Sequence, residues 1–187
     1  MIKSEESVKK RSFFALWPDE QLRVVLAKQV QHVQANVGES VRRMRTENLH
    51  ITLVFLGDIT AEQRVHARTV ADGVKQDGFE LQVDTYGYFH RPKVLFAEPE
   101  CVPEAAIALQ QQMYTGLKDA GFVLDTRPWH PHMTLFRKVP MQQAERLLGD
   151  AECPSCKWPV KSFSLLQSVQ TRAGVSYQEA GRWALRG

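Results

Sequence analysis

Long apolar runs are missing from this sequence. No stretch approaches the roughly 20 residues that cross a bilayer, and Met1–Lys10 is polar and mixed in charge, without the apolar segment of an export signal. A cytoplasmic location with no membrane contact is expected. Cysteine is scarce and odd in number: Cys101, Cys153 and Cys156. Reduced thiols are therefore expected rather than a disulfide framework. The glycine-rich phosphate loops that open nucleotide-binding folds are absent as well. So is any large excess of one charge. The formal net charge of +3 permits an anionic ligand without marking a chain that coats nucleic acid.

What is present suits a globular protein. The 187 residues are 43% apolar and 24% charged, enough for one core and too few for two large independent domains. Residues 1–10 read as a flexible tail, followed by one compact unit over 11–187. Ser12 to Trp17 reads as a buried strand, and Pro18-Asp-Glu20 opens a helix running to about Asn36. Asn48 to Gly57, rich in β-branched and aromatic residues, is a second strand, with a helix expected over about Thr60 to Gln76. Phe79 to Phe89 and Lys93 to Glu98 suggest a hairpin around His90-Arg-Pro92. Pro103 to Ala120 is helical in composition and stops at Gly121. A short strand over His132 to Arg137, a brief helix over Gln142 to Leu148, and strands over Trp158 to Gln170 and about Val175 to Leu185 complete the series. Regular βαβ spacing is lacking, so the fold class is α+β with mainly antiparallel sheet.

The informative feature is a repeated tetrapeptide, His50-Ile51-Thr52-Leu53 and His132-Met133-Thr134-Leu135. Strand side chains alternate faces, so each His and Thr share a face while Ile51 or Met133 turns to the core. If the two strands meet at a cleft, two imidazoles and two hydroxyls converge, which suits acid and base catalysis at a phosphate. Two of the six histidines carry Thr two residues on, a coincidence expected in roughly a few per cent of such sequences. The shared Leu and the apolar strand around each copy make chance rarer by about another tenfold. The plainer alternative is a pair of ordinary histidines satisfied on half-buried strands.

Together with Phe13-Phe-Ala15, Glu47-Asn-Leu-His-Ile-Thr-Leu53, Phe55-Leu-Gly57, His130-Pro-His-Met-Thr-Leu-Phe-Arg137 and Arg182-Trp-Ala-Leu185, these motifs resemble the 2H phosphoesterases. Specifically, they resemble the bacterial RNA 2',3'-cyclic phosphodiesterase branch formerly called 2'-5' RNA ligase. The resemblance implies two pseudo-symmetric lobes of antiparallel sheet with outer helices flanking a central cleft. It implies His50 as proton donor, His132 as proton acceptor, and Thr52, Thr134 and Arg137 as phosphate-binding groups. Arg137 lies five residues from His132, so a regular strand would turn it away and a bulge or strand end near Phe136 is needed. Where the family often has an arginine before the tyrosine matched by Tyr177, this chain has Ser176; Arg172 is a possible substitute.

The implied substrate is RNA with 2',3'-cyclic phosphate ends, hydrolysed by a monomer without metal or other cofactor, with reversible 2'-5' ligation as a minor activity when a 5'-hydroxyl RNA takes the place of water. Arg42, Arg43 and Arg45 either flank the cleft or form a solvated face. Trp129, Tyr86, Tyr88 and Phe14 are candidate base platforms whose ordinary role is packing. Two other functions compete. One is a zinc-dependent hydrolase using His130, His132, Cys153 and Cys156; the other is an RNA-end-binding module without turnover.

Overall fold

The structure is a computed structural model that describes residues 8–37, 41–150, 153–172 and 174–187. The segment 1–7 of the expected tail lies outside these residues, and the first strand begins at Lys10. In chain order the elements are β1 (Lys10–Leu16), α1 (Glu20–Val37), β2 (Arg42–Arg43), a 3-10 turn (Thr46–Asn48), β3 (Ile51–Ile59), α2 (Ala61–Asp72), β4 (Phe79–Val83), β5 (Thr85–Phe89) and β6 (Val94–Glu98). They continue with α3 (Glu104–Asp119), β7 (Met133–Arg137), α4 (Met141–Asp150), β8 (Cys156–Val160), β9 (Ser162–Thr171) and β10 (Gly174–Ala184).

The α+β class holds, and every ladder between these strands is antiparallel. One sheet runs in the order β10-β9-β1-β3-β7-β6-β5, with β2 added to β7. It consists of two lobes. The ladders β10-β9-β1-β3 and β7-β6-β5 are extensive, whereas β3 and β7 meet through a single residue pair, Ile51 and Met133. The residues on either side of that seam, His50, Thr52, His132 and Thr134, line one cleft.

Sequence explains most of these elements locally. β1 lies between β3 and β9 and is covered on both faces: Phe14 and Leu16 enter the main core while Phe13 and Ala15 form a small cluster with Leu166. A strand buried on both faces reads as the continuous apolar run seen in the sequence. α2 starts at Thr60, whose hydroxyl accepts from the Gln63 N–H while the Gln63 side chain accepts from the Thr60 N–H. Such a capping box contributes about 1 kcal/mol. α3 buries Ala106, Leu109, Met113 and Leu117 at helical spacing. It is stopped by Gly121 at φ +87°, after which the Phe122 N–H bonds back to the Leu117 carbonyl.

Two strands expected to be continuous are broken. Phe79 to Phe89 divides at Asp84, whose N–H bonds to the Glu98 carbonyl and whose carboxylate takes the Glu100 N–H. Trp158 to Gln170 divides at Lys161. In both cases one half, β4 or β8, peels away to form a separate two-stranded ribbon in which Leu81 faces Trp158. Only the other half joins the main sheet.

Candidate active site

The seam fixes how the two tetrapeptides meet. Ile51 and Met133 are fully buried, and the antiparallel register carries His50 level with Thr134 and Thr52 level with His132. Each imidazole thus stands beside the hydroxyl of the other motif.

Both motifs contain the same irregularity. Along β1 and β3, Phe14 faces Val54 and Ala15 faces Thr52, so Leu53 is an extra residue in the ladder. Along β6 and β7, Leu95 faces Phe136 and Phe96 faces Thr134, so Leu135 is extra. These are β-bulges at the fourth position of each tetrapeptide. Leu53 with Val54, and Leu135 with Phe136, are consecutive buried residues, so the alternation slips by one. The fifth residue after each histidine therefore returns to the cleft: Arg137 on one side, Phe55 on the other. The requirement for a bulge near Phe136 is met at Leu135, whose carbonyl is taken by the Met44 N–H at 2.8 Å.

Each imidazole is anchored from behind. His50 Nδ1 lies 2.6 Å from the Asn48 carbonyl, and His132 Nδ1 lies 2.7 Å from the His130 carbonyl. A carbonyl can only accept, so Nδ1 carries the proton in both rings and Nε2 is left for chemistry. Aromatic rings hold the planes. Phe13 and Tyr177 lie 4.9 and 5.1 Å from His50, and Phe89 and Phe96 lie 4.9 and 5.2 Å from His132. Phe96 occupies space that any side chain at Gly87 would fill, since a Cβ there would come within 2.3 Å of its ring.

Asn48 was not singled out from sequence, although it stands inside the quoted Glu47–Leu53 motif. Its buried side chain donates to the Val175 carbonyl at 2.8 Å and accepts from the Tyr177 N–H at 3.2 Å. It thereby ties β10, one wall of the cleft, to the turn that carries His50. Behind His132, His130 Nε2 contacts the Glu98 carboxylate at 2.5 Å. His130 is thus a cleft neighbour with its own partner.

The cleft has a volume of about 650 Å³. His50, His132, Thr52, Thr134 and Arg137 all line it, so the five expected site residues converge. The Thr52 and Thr134 hydroxyls have no hydrogen-bond partner among the described residues. Arg11, Arg42, Arg43 and Arg45 add positive charge, and no Asp or Glu is among the lining residues. The cleft-flanking alternative for Arg42 to Arg45 is the one realised. Arg172 sits in the β9–β10 turn, and neither it nor Ser176 lines the cleft. The proposed platforms mostly pack elsewhere: Phe14 is fully buried, Tyr86 is buried, Tyr88 donates to the Val139 carbonyl, and Trp129 donates to the Thr52 carbonyl. The aromatics that do line the cleft are Phe13, Phe55 and Tyr177.

Electrostatics follow from this setting. Burial pushes the His50 imidazole down to about 4, with His132 and Arg137 adding to the fall and the Asn48 carbonyl opposing it. Burial also lowers His132, helped by His130 and Arg137. There the His130 carbonyl and the Glu98 carboxylate oppose it. Cys153 and Cys156 are unpaired and lie outside the cleft. Burial raises both thiols, Cys153 to about 11, although the Tyr86 contact pulls it down. Among the described residues no group of three or more His, Cys, Asp or Glu could hold a metal ion.

Two imidazoles, two free hydroxyls and a guanidinium around a cleft lined by no Asp or Glu among the described residues can donate and accept protons across an anionic ester. The chain belongs to the 2'-5' RNA ligase superfamily, whose family model matches residues 22–172. It is 29% identical over 177 residues to the RNA 2',3'-cyclic phosphodiesterase of Escherichia coli K12, covering 94% of this chain and 96% of that protein. The RNA 2',3'-cyclic phosphodiesterase of Bacillus subtilis 168 is 34% identical over 141 residues, covering 73% and 76%. The crystal structure of E. coli LigT in apo form superposes with a TM-score of 0.80 at 28% identity, over 97% of this chain and all of that one. Its complex with 3'-AMP gives 0.79 at 28% identity, over 95% and 98%. No helix among the described residues is long and apolar enough to cross a membrane.

Proposed function

We propose that this chain hydrolyses RNA 2',3'-cyclic phosphate ends to 2'-phosphomonoesters, with His50 as proton donor and His132 as proton acceptor. The observation that carries the reading is the seam at Ile51 and Met133, which sets two identically anchored imidazoles on opposite sides of one cleft. Water attacks phosphorus in line as His132 Nε2 removes its proton. The bond from phosphorus to the 3'-oxygen breaks while His50 Nε2–H protonates that oxygen. The 2'-ester bond stays intact. Charge on the nonbridging oxygens is taken by Thr52, Thr134 and Arg137, fixed donors that need no rearrangement as the charge develops. A 5'-hydroxyl RNA in place of water gives 2'-5' ligation by the same path: the P–O5' bond forms as the P–O3' bond breaks, with the same two proton transfers.

Both free imidazoles are depressed, so the enzyme alone holds few molecules with His50 charged and His132 neutral. The anionic phosphate raises both rings once bound. The profile of kcat/KM against pH should therefore peak on the acid side of neutrality, with the kcat profile displaced to higher pH. Product analysis on short 2',3'-cyclic RNAs tests the activity. A 2'-phosphate product formed undiminished after exhaustive chelation is expected; a 3'-phosphate, or activity lost to chelator and restored by zinc, would overturn the reading.

A further inference from the structure

The cleft carries more positive charge than one reacting phosphate requires, and its arginines are not equivalent. Arg45 forms an ion pair with Glu47, and Arg11 lies over the Phe55 ring at 5.0 Å. Arg137 faces the histidines. Arg42 remains. It pairs across the β2–β7 ladder with Arg137, and residues opposed in this way hold their Cβ atoms about 4.5–5.5 Å apart. Two like charges so placed repel. Neither has an ion-pair partner among the described residues. From this edge Arg42 crosses to the facing wall, where its Nη2 comes within 3.6 Å of the position a Cβ would take on Gly174, the first residue of β10. It thus lies beside the reacting-phosphate position and spans the cleft.

Resting on the activity proposed above, the geometry points to a second phosphate subsite at Arg42, which takes the phosphodiester on the 5' side of the nucleotide whose cyclic end is hydrolysed. An anion there neutralises the Arg42–Arg137 repulsion, and the long guanidinium stem lets the contact follow the strand out of the cleft. The substrate class is therefore an RNA strand carrying at least one internal phosphate, in preference to a bare nucleoside cyclic phosphate. A charge-assisted contact at a partly open site is worth about tenfold in kcat/KM, and the gain should shrink as salt rises.

The test compares four substrates: a nucleoside 2',3'-cyclic phosphate, its 5'-phosphorylated form, a dinucleotide with the same cyclic end, and that dinucleotide with an uncharged methylphosphonate linkage. The 5'-phosphorylated compound and the natural dinucleotide should exceed the bare nucleoside by about tenfold, and the methylphosphonate should not. In Arg42→Gln that ratio should fall to about one, with Arg42→Lys between. Arg42 is exposed on a two-residue edge strand, so circular dichroism should show an intact fold. A tenfold ratio that survives in Arg42→Gln, or a methylphosphonate as good as the natural dinucleotide, overturns the subsite. Calorimetric binding of a nucleoside 2'-phosphate and the matching 2',5'-bisphosphate reads the same ratio without turnover. Equal affinities in the wild type overturn the subsite whatever the activity, whereas unequal affinities without hydrolysis of any substrate support it and overturn the activity alone.

Discussion

The two histidine motifs are nearly identical in backbone and quite different in company. Each has its Nδ1 on the carbonyl two residues back, a bulged leucine at the fourth position, and a fifth residue returned to the cleft. Both rings have two aromatic neighbours, but those of His50 are Phe13 and Tyr177, with no carboxylate behind them among the described residues, and those of His132 are Phe89 and Phe96. Around His132 stand a second histidine and, behind it, the Glu98 carboxylate. Phe55 occupies the place that corresponds to Arg137. In the reaction proposed above, the backbone repeat supplies the geometry for two proton transfers and the surroundings distinguish the two rings. A ring held well down near 4 releases its proton readily, while a ring with a carboxylate in reach is better able to hold one.

The strongest way to break the comparison is to remove each ring in turn. His50→Ala and His132→Ala should each lose roughly 10²–10⁴ in rate with folding retained. A substrate with an activated phenol leaving group needs little protonation, so it should rescue His50→Ala and leave His132→Ala impaired. Rescue of the opposite variant would exchange the roles. Next come the hydroxyls, where Thr52→Val and Thr134→Val should each lower kcat by about tenfold without unfolding, since each removes one hydrogen bond to a charged oxygen. Equal kinetics for both variants and wild type would take the threonines out of the reaction.

Smaller shifts sharpen the division. Glu98 raises His132, so Glu98→Gln should lower the His132 titration point seen by imidazole NMR and leave that of His50 in place. A matching shift of both rings would mean that the carboxylate acts on the whole cleft. The smallest expected effect is on stability. His50 in the folded chain lies below an ordinary histidine near 6.5, so below that pH the unfolded chain binds the extra proton and the folded chain resists it. Its contribution to stability is complete above about 6.5 and is lost as pH falls toward 4. Thermal melts of His50→Gln between pH 7 and 4 should fall less steeply than those of the parent protein, and parallel slopes would refute the shift.

The sequence made the site more legible than the sheet. The tetrapeptides and their shared faces could be read from two-residue periodicity, because that needs only local geometry. The placement of Arg137 could not, because the bulge that turns it inward is a mismatch between β7 and a partner strand, β6, distant in sequence. The same holds for the breaks at Asp84 and Lys161. A strand that leaves one sheet for another keeps its apolar alternation, and its break shows in a hydrogen bond such as that from the Asp84 N–H to the Glu98 carbonyl. Asn48 escaped notice because its partners, Val175 and Tyr177, lie more than 120 residues away in the chain. The arginines of β2 resembled a solvated face because a short run of charge carries no mark of the wall opposite.

The position of β1 has a consequence for synthesis. This first strand, Lys10–Leu16, is hydrogen-bonded on one edge to β3 and on the other to β9, which begins at Ser162. While the chain is leaving the ribosome, the Phe13-Phe-Ala-Leu16 segment has only one of its two neighbours, and its open edge is apolar on both faces. Such an edge invites pairing with other chains. Closing it depends on pairing β1 with β9, strands at opposite ends of the chain, a contact that forms slowly because so long a loop must be ordered first. Asn48 depends on the same late hairpin. The nascent protein thus acquires its aggregation resistance and its finished catalytic wall in one event, when the last strands dock.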